Sequence, residues 1–173
     1  GGMVVTRDEV FYKKVVMLRD YGRRDRYEHV IKGYNSRLDT LQAVILSAKL
    51  KRFDHWNKRR QKVAKQYIKL LRKIDGIVTP ITRCERTHVY QTFTIRVKKR
   101  DEICQKMQSQ GIGVLIHYPI PLHLQKAYAE LGYKKGDFPV AEQVAQEILS
   151  IPMFPHMTGK QIEYVCKTLK ELV

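Results

Sequence analysis

The 173 residues carry 33 Lys plus Arg against 17 Asp plus Glu, a formal net charge of +16, and 43% of them are hydrophobic. That is enough apolar material for one or two small cores, and a charge that draws anionic partners of any kind. No apolar run approaches the length of a membrane span, and Cys84, Cys104 and Cys166 fit no zinc spacing, so free thiols in a reducing cytosol are the simplest reading.

Residues 2–6 (Gly-Met-Val-Val-Thr) read as a short strand, Arg7-Asp8 as a turn and Glu9 to Leu18 as a helix. A domain rarely begins on a Gly-Gly strand with no partner nearby, so the chain reads as the tail end of a longer protein. Residues 19–32 form a charged, tyrosine-rich loop. Its Arg23, Arg24 and Arg26 offer either an anion site or a solvated basic surface.

The stretch from Gly33 to Ala43 reads as a polar turn running straight into a long helix. Ser36 is a good N-cap, and Asp39 three residues later completes a pair resembling a capping box. From Leu38 the apolar residues Leu41, Ile45 and Ala48 follow at helical spacing. A helix N-terminus presents unpaired N–H groups and partial positive charge. With Asn35, Ser36 and Arg37 beside it, the set suits a phosphate or a carboxylate. An ordinary capped helix accounts for the same residues.

The helical period continues through Phe53, Trp56, Val63, Tyr67 and Leu70 to about Ile74. At ~1.5 Å per residue a single straight helix would outrun a small domain, which predicts a break near Asp54–Asn57. From Lys49 to Lys73 there are eleven Lys or Arg and one acid, Asp54. These cations fill the face opposite the apolar one. They read as a solvated helix face or, alternatively, as a nucleic-acid-binding module on residues 49–73, though no stacking platform or nucleic-acid motif accompanies them.

Asp75-Gly76 is a stop and turn, and Ile77 to Pro80 a short extended piece. Thr87 to Val97 alternates apolar and polar residues as a half-buried strand does. Asp101 to Gln110 reads as a helix stopped by Gly111, and Gly113 to Ile116 as a second strand. Three helices are expected around 123–131, 139–149 and 158–172, with Pro152 and Pro155 breaking the chain between the last two. The pattern is that of a small α/β sandwich.

His117-Tyr118-Pro119 falls where a strand ends, and Pro119 and Pro121 stiffen the loop that carries His117 and His123. Taken alone, His117 is a loop histidine with a local hydrogen bond or a ligand donor. The histidines have no metal-ligand spacing, and no Walker or Rossmann phosphate loop occurs.

Several of these stretches together resemble one family. Gly33, Asn35, Arg37, Asp39 and Gln42-Ala43 stand as in the G-x-N-x-R-x-D-x-x-Q-A segment of the DegT/DnrJ/StrS sugar aminotransferases. His117-Tyr118-Pro119-Ile120-Pro121-Leu122-His123-Leu124-Gln125 resembles that family's HYP-x-P-x-H-x-Q stretch. Phe138-Pro139-Val140-Ala141-Glu142 and Leu149-Ser150-Ile151-Pro152-Met153-Phe154-Pro155 resemble its F-P-x-A-E and L-S-x-P-x-x-P segments, and residues 1–6 the strand after its cofactor lysine.

The resemblance implies an α/β chain that is the C-terminal part of the aspartate-aminotransferase fold of type I pyridoxal-phosphate enzymes. Residues 1–37 would be the end of the large cofactor-binding domain with a cross-dimer loop, 38–75 a linking helix, and 76–173 the small domain. The implied activity is transfer of an amino group, usually from glutamate, to a keto sugar carried on a nucleotide. Pyridoxal 5'-phosphate would be the cofactor of a cytoplasmic homodimer making sugars for surface glycans or antibiotics. The segments look most like members that aminate C3 of a dideoxy or 6-deoxy sugar. Asn35 and Arg37 would reach the partner's cofactor phosphate. His117, Tyr118 and His123, with Tyr27 and His29, would face substrate. The lysine that forms a Schiff base in the family lies before the matched segments, so the chain is not expected to catalyse alone.

Overall fold

A computed structural model describes residues 2–173, which fall into two units, 2–53 and 54–173. In the first, residues 2–7 form no strand, because nothing among the described residues pairs with them. Helix α1 spans Glu9–Leu18, and the Asp8 carboxylate accepts the Val10 and Phe11 amides at 2.8 and 3.0 Å. The chain then turns back on itself. An antiparallel bridge joins Asp20 to Asn35 and another joins Arg23 to His29. Between them the Asp25 carboxylate accepts the Tyr27 and Glu28 amides, both at 3.0 Å, and closes the tip.

Helix α2 spans Thr40–Leu50. Its N-cap is Asp39, which accepts the Leu41 amide at 2.8 Å, and not the expected Ser36, whose own amide is taken by the Arg19 carbonyl at 2.8 Å. The segment 38–75, expected as a linking helix with a break near Asp54–Asn57, holds two helices. Helix α2 ends at Leu50 and α3 spans Phe53–Leu71, so the break falls at Lys51-Arg52, a few residues before the expected place. No apolar side chain is buried among residues 2–53; Leu41, Ile45 and Leu50 on α2 are all exposed.

The second unit is built on a three-stranded antiparallel sheet in the order β1 (Ile77–Val78), β2 (Phe93–Val97), β3 (Ile148–Ile151). Phe93 faces Ile151 and Thr94 faces Ser150 in the register. The alternation read over 87–97 survives only in β2, where Phe93, Ile95 and Val97 are buried and Thr94 and Arg96 half-buried. Ahead of it, Tyr90 sits at φ +48°, which no strand residue adopts. Helix α4 spans Arg100–Ser109, α5 Pro139–Glu147 and α6 Gly159–Leu172. A full capping box between Thr158 and Gln161 starts α6.

Three expectations need correction here. The helix expected over 139–149 stops at Glu147, and Ile148–Ile151 is a strand buried at every position. A strand covered on both faces shows no alternation to read. The strand expected over Gly113 to Ile116 is a single bridge, Leu115 to Ser150. The helix expected over 123–131 is two short 3₁₀ turns, Leu122–Leu124 and Lys126–Leu131, separated by an extended Gln125.

The core gathers one face from each element: Tyr67 and Leu71 of α3, Phe93 and Ile95 of β2, Met107 of α4, Leu149 of β3, and Ile162 and Leu169 of α6. Two cations serve this interior. Arg60 donates from one nitrogen to the Tyr90 and Met153 carbonyls, both at 3.1 Å. Buried Arg100 donates to the Ala145 and Ile148 carbonyls at 3.2 and 2.9 Å. Such charge-assisted bonds tie loop carbonyls in the case of Arg60, and the end of α5 to the start of β3 in the case of Arg100.

Candidate functional site

In the first unit three of the expected site residues, His29, Asn35 and Arg37, gather on Asp20 and Tyr21. Asp20 pairs with Arg23 through one carboxylate oxygen. The other oxygen, buried and without a hydrogen bond, lies 3.6 Å from an Arg37 nitrogen. The bond from Arg23, with the nearby charges of Arg37 and Arg19, holds the Asp20 carboxyl below the usual carboxylate range against an opposing push from burial. Arg37 also lies over the Tyr21 ring, 5.6 Å from its centroid. Arg37 is thus oriented by a charge and a ring while giving none of its N–H donors to a hydrogen bond among the described residues. The Asn35 side chain makes none either; its backbone alone is held, in the bridge to Asp20.

The close approach behind this arrangement depends on Gly22 and Gly33. A Cβ on Gly33 would stand 2.0 Å from the Gly22 nitrogen, and one on Gly22, at φ +73°, 1.7 Å from the Ile31 carbonyl oxygen. Gly33 therefore serves a backbone contact, where the sequence suggested only a polar turn.

Arg19, Asn35, Arg37, Asp39, Thr40 and Gln42 line a polar cavity of about 460 Å³. Two guanidinium groups and a free amide there are the donor set of an oxyanion such as a phosphate. The N–H groups of α2 contribute less than the sequence suggested, because the Asp39 carboxylate already caps them. A phosphate of a cofactor fits these side chains.

His29 bonds through Nδ1 to the Tyr21 carbonyl at 2.8 Å. A carbonyl only accepts, so Nδ1 carries the proton and Nε2 of the neutral ring is an acceptor. Tyr27 is 81% exposed, with Arg26 stacked on its ring at 5.4 Å. His29 thus joins the Asp20–Tyr21 cluster, and Tyr27 stands outside it.

The second unit holds the other candidates. His117 is half-buried at the bridge between Leu115 and Ser150, its Nδ1 2.9 Å from the Ser150 hydroxyl. That hydroxyl is 2.9 Å from the Thr94 hydroxyl across the sheet. Tyr118 is 72% exposed and meets the His117 ring edge-on, centroids 5.5 Å apart. His123 is turned inward: its Nε2 lies 3.0 Å from the Glu142 carboxylate and its ring packs on Phe138. The same Glu142 oxygen accepts the Gly136 amide at 2.8 Å. That backbone bond, then the one from His123, holds the Glu142 carboxyl below its ordinary value of 4.5. His123 is therefore a strut of the loop 121–138 as well as a candidate ligand group.

Glu142 and Ser150 were missed as partners of the two histidines. The signal was present, since both stand inside the segments Phe138–Glu142 and Leu149–Pro155 that carried the resemblance. Among the described residues no three or more His, Cys, Asp or Glu side chains come together as a metal site would need.

The fold is that of the C-terminal part of the type I pyridoxal-phosphate enzymes, α/β with a small antiparallel sheet. The family model described as the DegT/DnrJ/EryC1/StrS aminotransferase family matches residues 1–170, and the chain belongs to that family. Its members are pyridoxal-phosphate-dependent aminotransferases. A pleiotropic regulatory protein of Geobacillus stearothermophilus is 44% identical over 99% of this chain and 46% of its own length. The dTDP-3-amino-3,4,6-trideoxy-alpha-D-glucose transaminase of Streptomyces venezuelae is 40% identical over 99% of this chain and 45% of its own. The crystal structure of S. venezuelae DesV in complex with a ketimine intermediate superposes with a TM-score of 0.89 at 39% identity, over 97% of this chain and 45% of that one. The chain spans about half the length of the curated relatives it matches.

Proposed function

We propose that this chain works as part of an aminotransferase that moves an amino group from an amino acid, with glutamate the expected donor, to the keto sugar of a nucleotide sugar. The relatives' names point to nucleotide-linked amino sugars, and a C3 ketone of a dideoxy or 6-deoxy sugar is the substrate this reading favours. It carries with it a cytoplasmic homodimer and a division of labour: 1–37 closing the cofactor domain, 38–75 linking, 76–173 the small domain. No helix among the described residues is long and apolar enough to cross a membrane.

The observation that carries the reading is the polar cavity lined by Arg19, Asn35 and Arg37. When bound, pyridoxal phosphate supplies the electron sink and the carrier for the amino group. Arg37 and Asn35 hold its phosphate by charge and hydrogen bond, each with its donors free for that purpose. His117 offers a ring nitrogen to the sugar or pyrophosphate, Tyr118 and His29 flank substrate, and His123 keeps the loop in shape.

The test is cofactor titration of the complete gene product that carries this chain, followed by absorbance. Asn35→Ala is expected to weaken pyridoxal-phosphate binding about tenfold, the size of one charge-assisted hydrogen bond. Arg37→Ala is expected to weaken it more. Unchanged affinity in both variants removes the assignment. Failure of the wild type to exchange amino groups between glutamate and a dTDP-linked keto sugar removes the function.

A further inference from the structure

The two hydroxyls beside His117 decide which of its nitrogens carries a proton. Ser150 is 5% exposed and has one proton to give. Its hydroxyl touches two partners, His117 Nδ1 at 2.9 Å and the Thr94 hydroxyl at 2.9 Å. Thr94 and Ser150 face each other in the β2–β3 register, so the contact is a cross-strand pair that the sheet itself enforces. Two backbone bonds to Leu115 pin Ser150 further, its amide donating to the Leu115 carbonyl at 2.8 Å and its carbonyl accepting from the Leu115 amide at 3.1 Å.

Ser150 could accept from both partners, but its own buried proton would then have no acceptor; two arrangements give that proton a place. If Ser150 donates to Thr94, then Nδ1 of His117 must be the donor to Ser150, and the half-buried Thr94 hydroxyl proton has no protein acceptor. If Thr94 donates to Ser150 and Ser150 to Nδ1, every hydroxyl proton has an acceptor. A half-buried hydroxyl without an acceptor is the costlier state. The second arrangement leaves the neutral ring protonated at Nε2. That nitrogen has no partner among the described residues and is not sealed from solvent. His29 shows the opposite case, where a carbonyl at Nδ1 forces the proton there.

We propose that Thr94 and Ser150 form a hydroxyl relay that fixes His117 as an Nε2–H donor, and that this donor takes an acceptor oxygen of the nucleotide's pyrophosphate. Thr94 and Ser150 are positioning residues; only His117 touches the ligand. The ligand half rests on the proposed function, whereas the tautomer does not.

Long-range ¹⁵N imidazole spectra of the complete protein, labelled at histidine, test the relay. His117→Gln assigns the signal, and spectra are taken about two pH units above the ordinary histidine pKa of about 6.5. The wild type is expected to give the Nε2–H pattern for His117. Ser150→Ala and, independently, the isosteric Thr94→Val are expected to give a mixture of both tautomers, and Thr94→Ser to restore one. An Nδ1–H pattern in the wild type, or a pattern unchanged in both variants, overturns the relay. Binding of dTDP is expected to fall about twofold in Ser150→Ala, because only about half of the His117 rings then carry the Nε2 proton that the ligand selects. A mixed tautomer with unchanged dTDP affinity overturns the ligand half alone. Loss of amino exchange in the wild type would remove the proposed function and leave the tautomer standing.

Discussion

A side chain as small as a methyl group is too large at Gly33. The Cβ of alanine would stand 2.0 Å from the Gly22 nitrogen, and backbone on both sides prevents an easy shift. The bridge from Asp20 to Asn35, and with it the placement of Arg37 over Tyr21, hangs on that approach. Gly33→Ala is therefore expected to lower cofactor affinity of the complete protein at least as far as Asn35→Ala does, read by the same titration. It would do so without removing a single donor. Equal affinity to wild type would show that the two-glycine contact is not what holds the cavity. The sequence marked Gly33, Asn35 and Arg37 as one stretch. It could not show the Gly22 contact, because that pairing joins two strands of backbone eleven residues apart.

At the scale of elements, the loop 121–138 is held by polar groups and an aromatic trio more than by a core. None of its residues is buried, and Phe138 touches both His123 and Tyr133. Glu142, at the first turn of α5, fastens the loop through His123, Gly136 and Phe138. Its folded carboxyl is held below the ordinary value of 4.5. A depressed carboxyl stabilises the folded loop above that ordinary value, and the contribution is lost as pH falls through the lowered one. Amide exchange at Gly136 and Phe138 is thus expected to speed up below about pH 4.5, after correction for intrinsic rates, and Glu142→Ala to speed it up at neutral pH. No change in either case would show that the loop is held by its aromatic contacts.

Helix α3 shows the limits of reading a charge run. Of its cations, Arg60 turns inward to the Tyr90 and Met153 carbonyls. Lys58, Lys62, Lys65 and Lys69 remain on an exposed face, the commoner reason for such a run.

For the molecule as a whole, the burial divides sharply. Every buried apolar side chain belongs to residues 54–173. Cys104 and Cys166 lie in that core, and burial pushes the Cys166 thiol up to about 12. Cys84 is exposed. A thiol reagent near pH 8 is expected to label Cys84 at once, and Cys104 and Cys166 only as fast as the second unit opens, since the thiolate is the reactive form. Rapid labelling of all three would mean that the core is not closed in solution. Substituting Leu71, which is fully buried, by Ala is expected to cost about 3 kcal/mol and to speed that labelling.

The sequence by itself determined the elements whose signals are local. Asp8 before α1, Gly111 after α4, Thr158 with Gln161 at α6 and the alternation of β2 all act within a few residues of themselves. It also determined the family, because the motifs are short, dense and in order. Only the tertiary structure decided that Ile148–Ile151 is a strand, since a fully buried strand shows no period until its neighbours are known. Only the tertiary structure set Asp39 in place of Ser36 as the cap of α2, because the Ser36 amide is drawn away by Arg19 from the other side of the loop. The partners of the histidines fall in the same class. Ser150 for His117 and Glu142 for His123 are 33 and 19 residues distant in sequence, and a hydrogen bond spans about 3 Å of space whatever the length of chain between its ends.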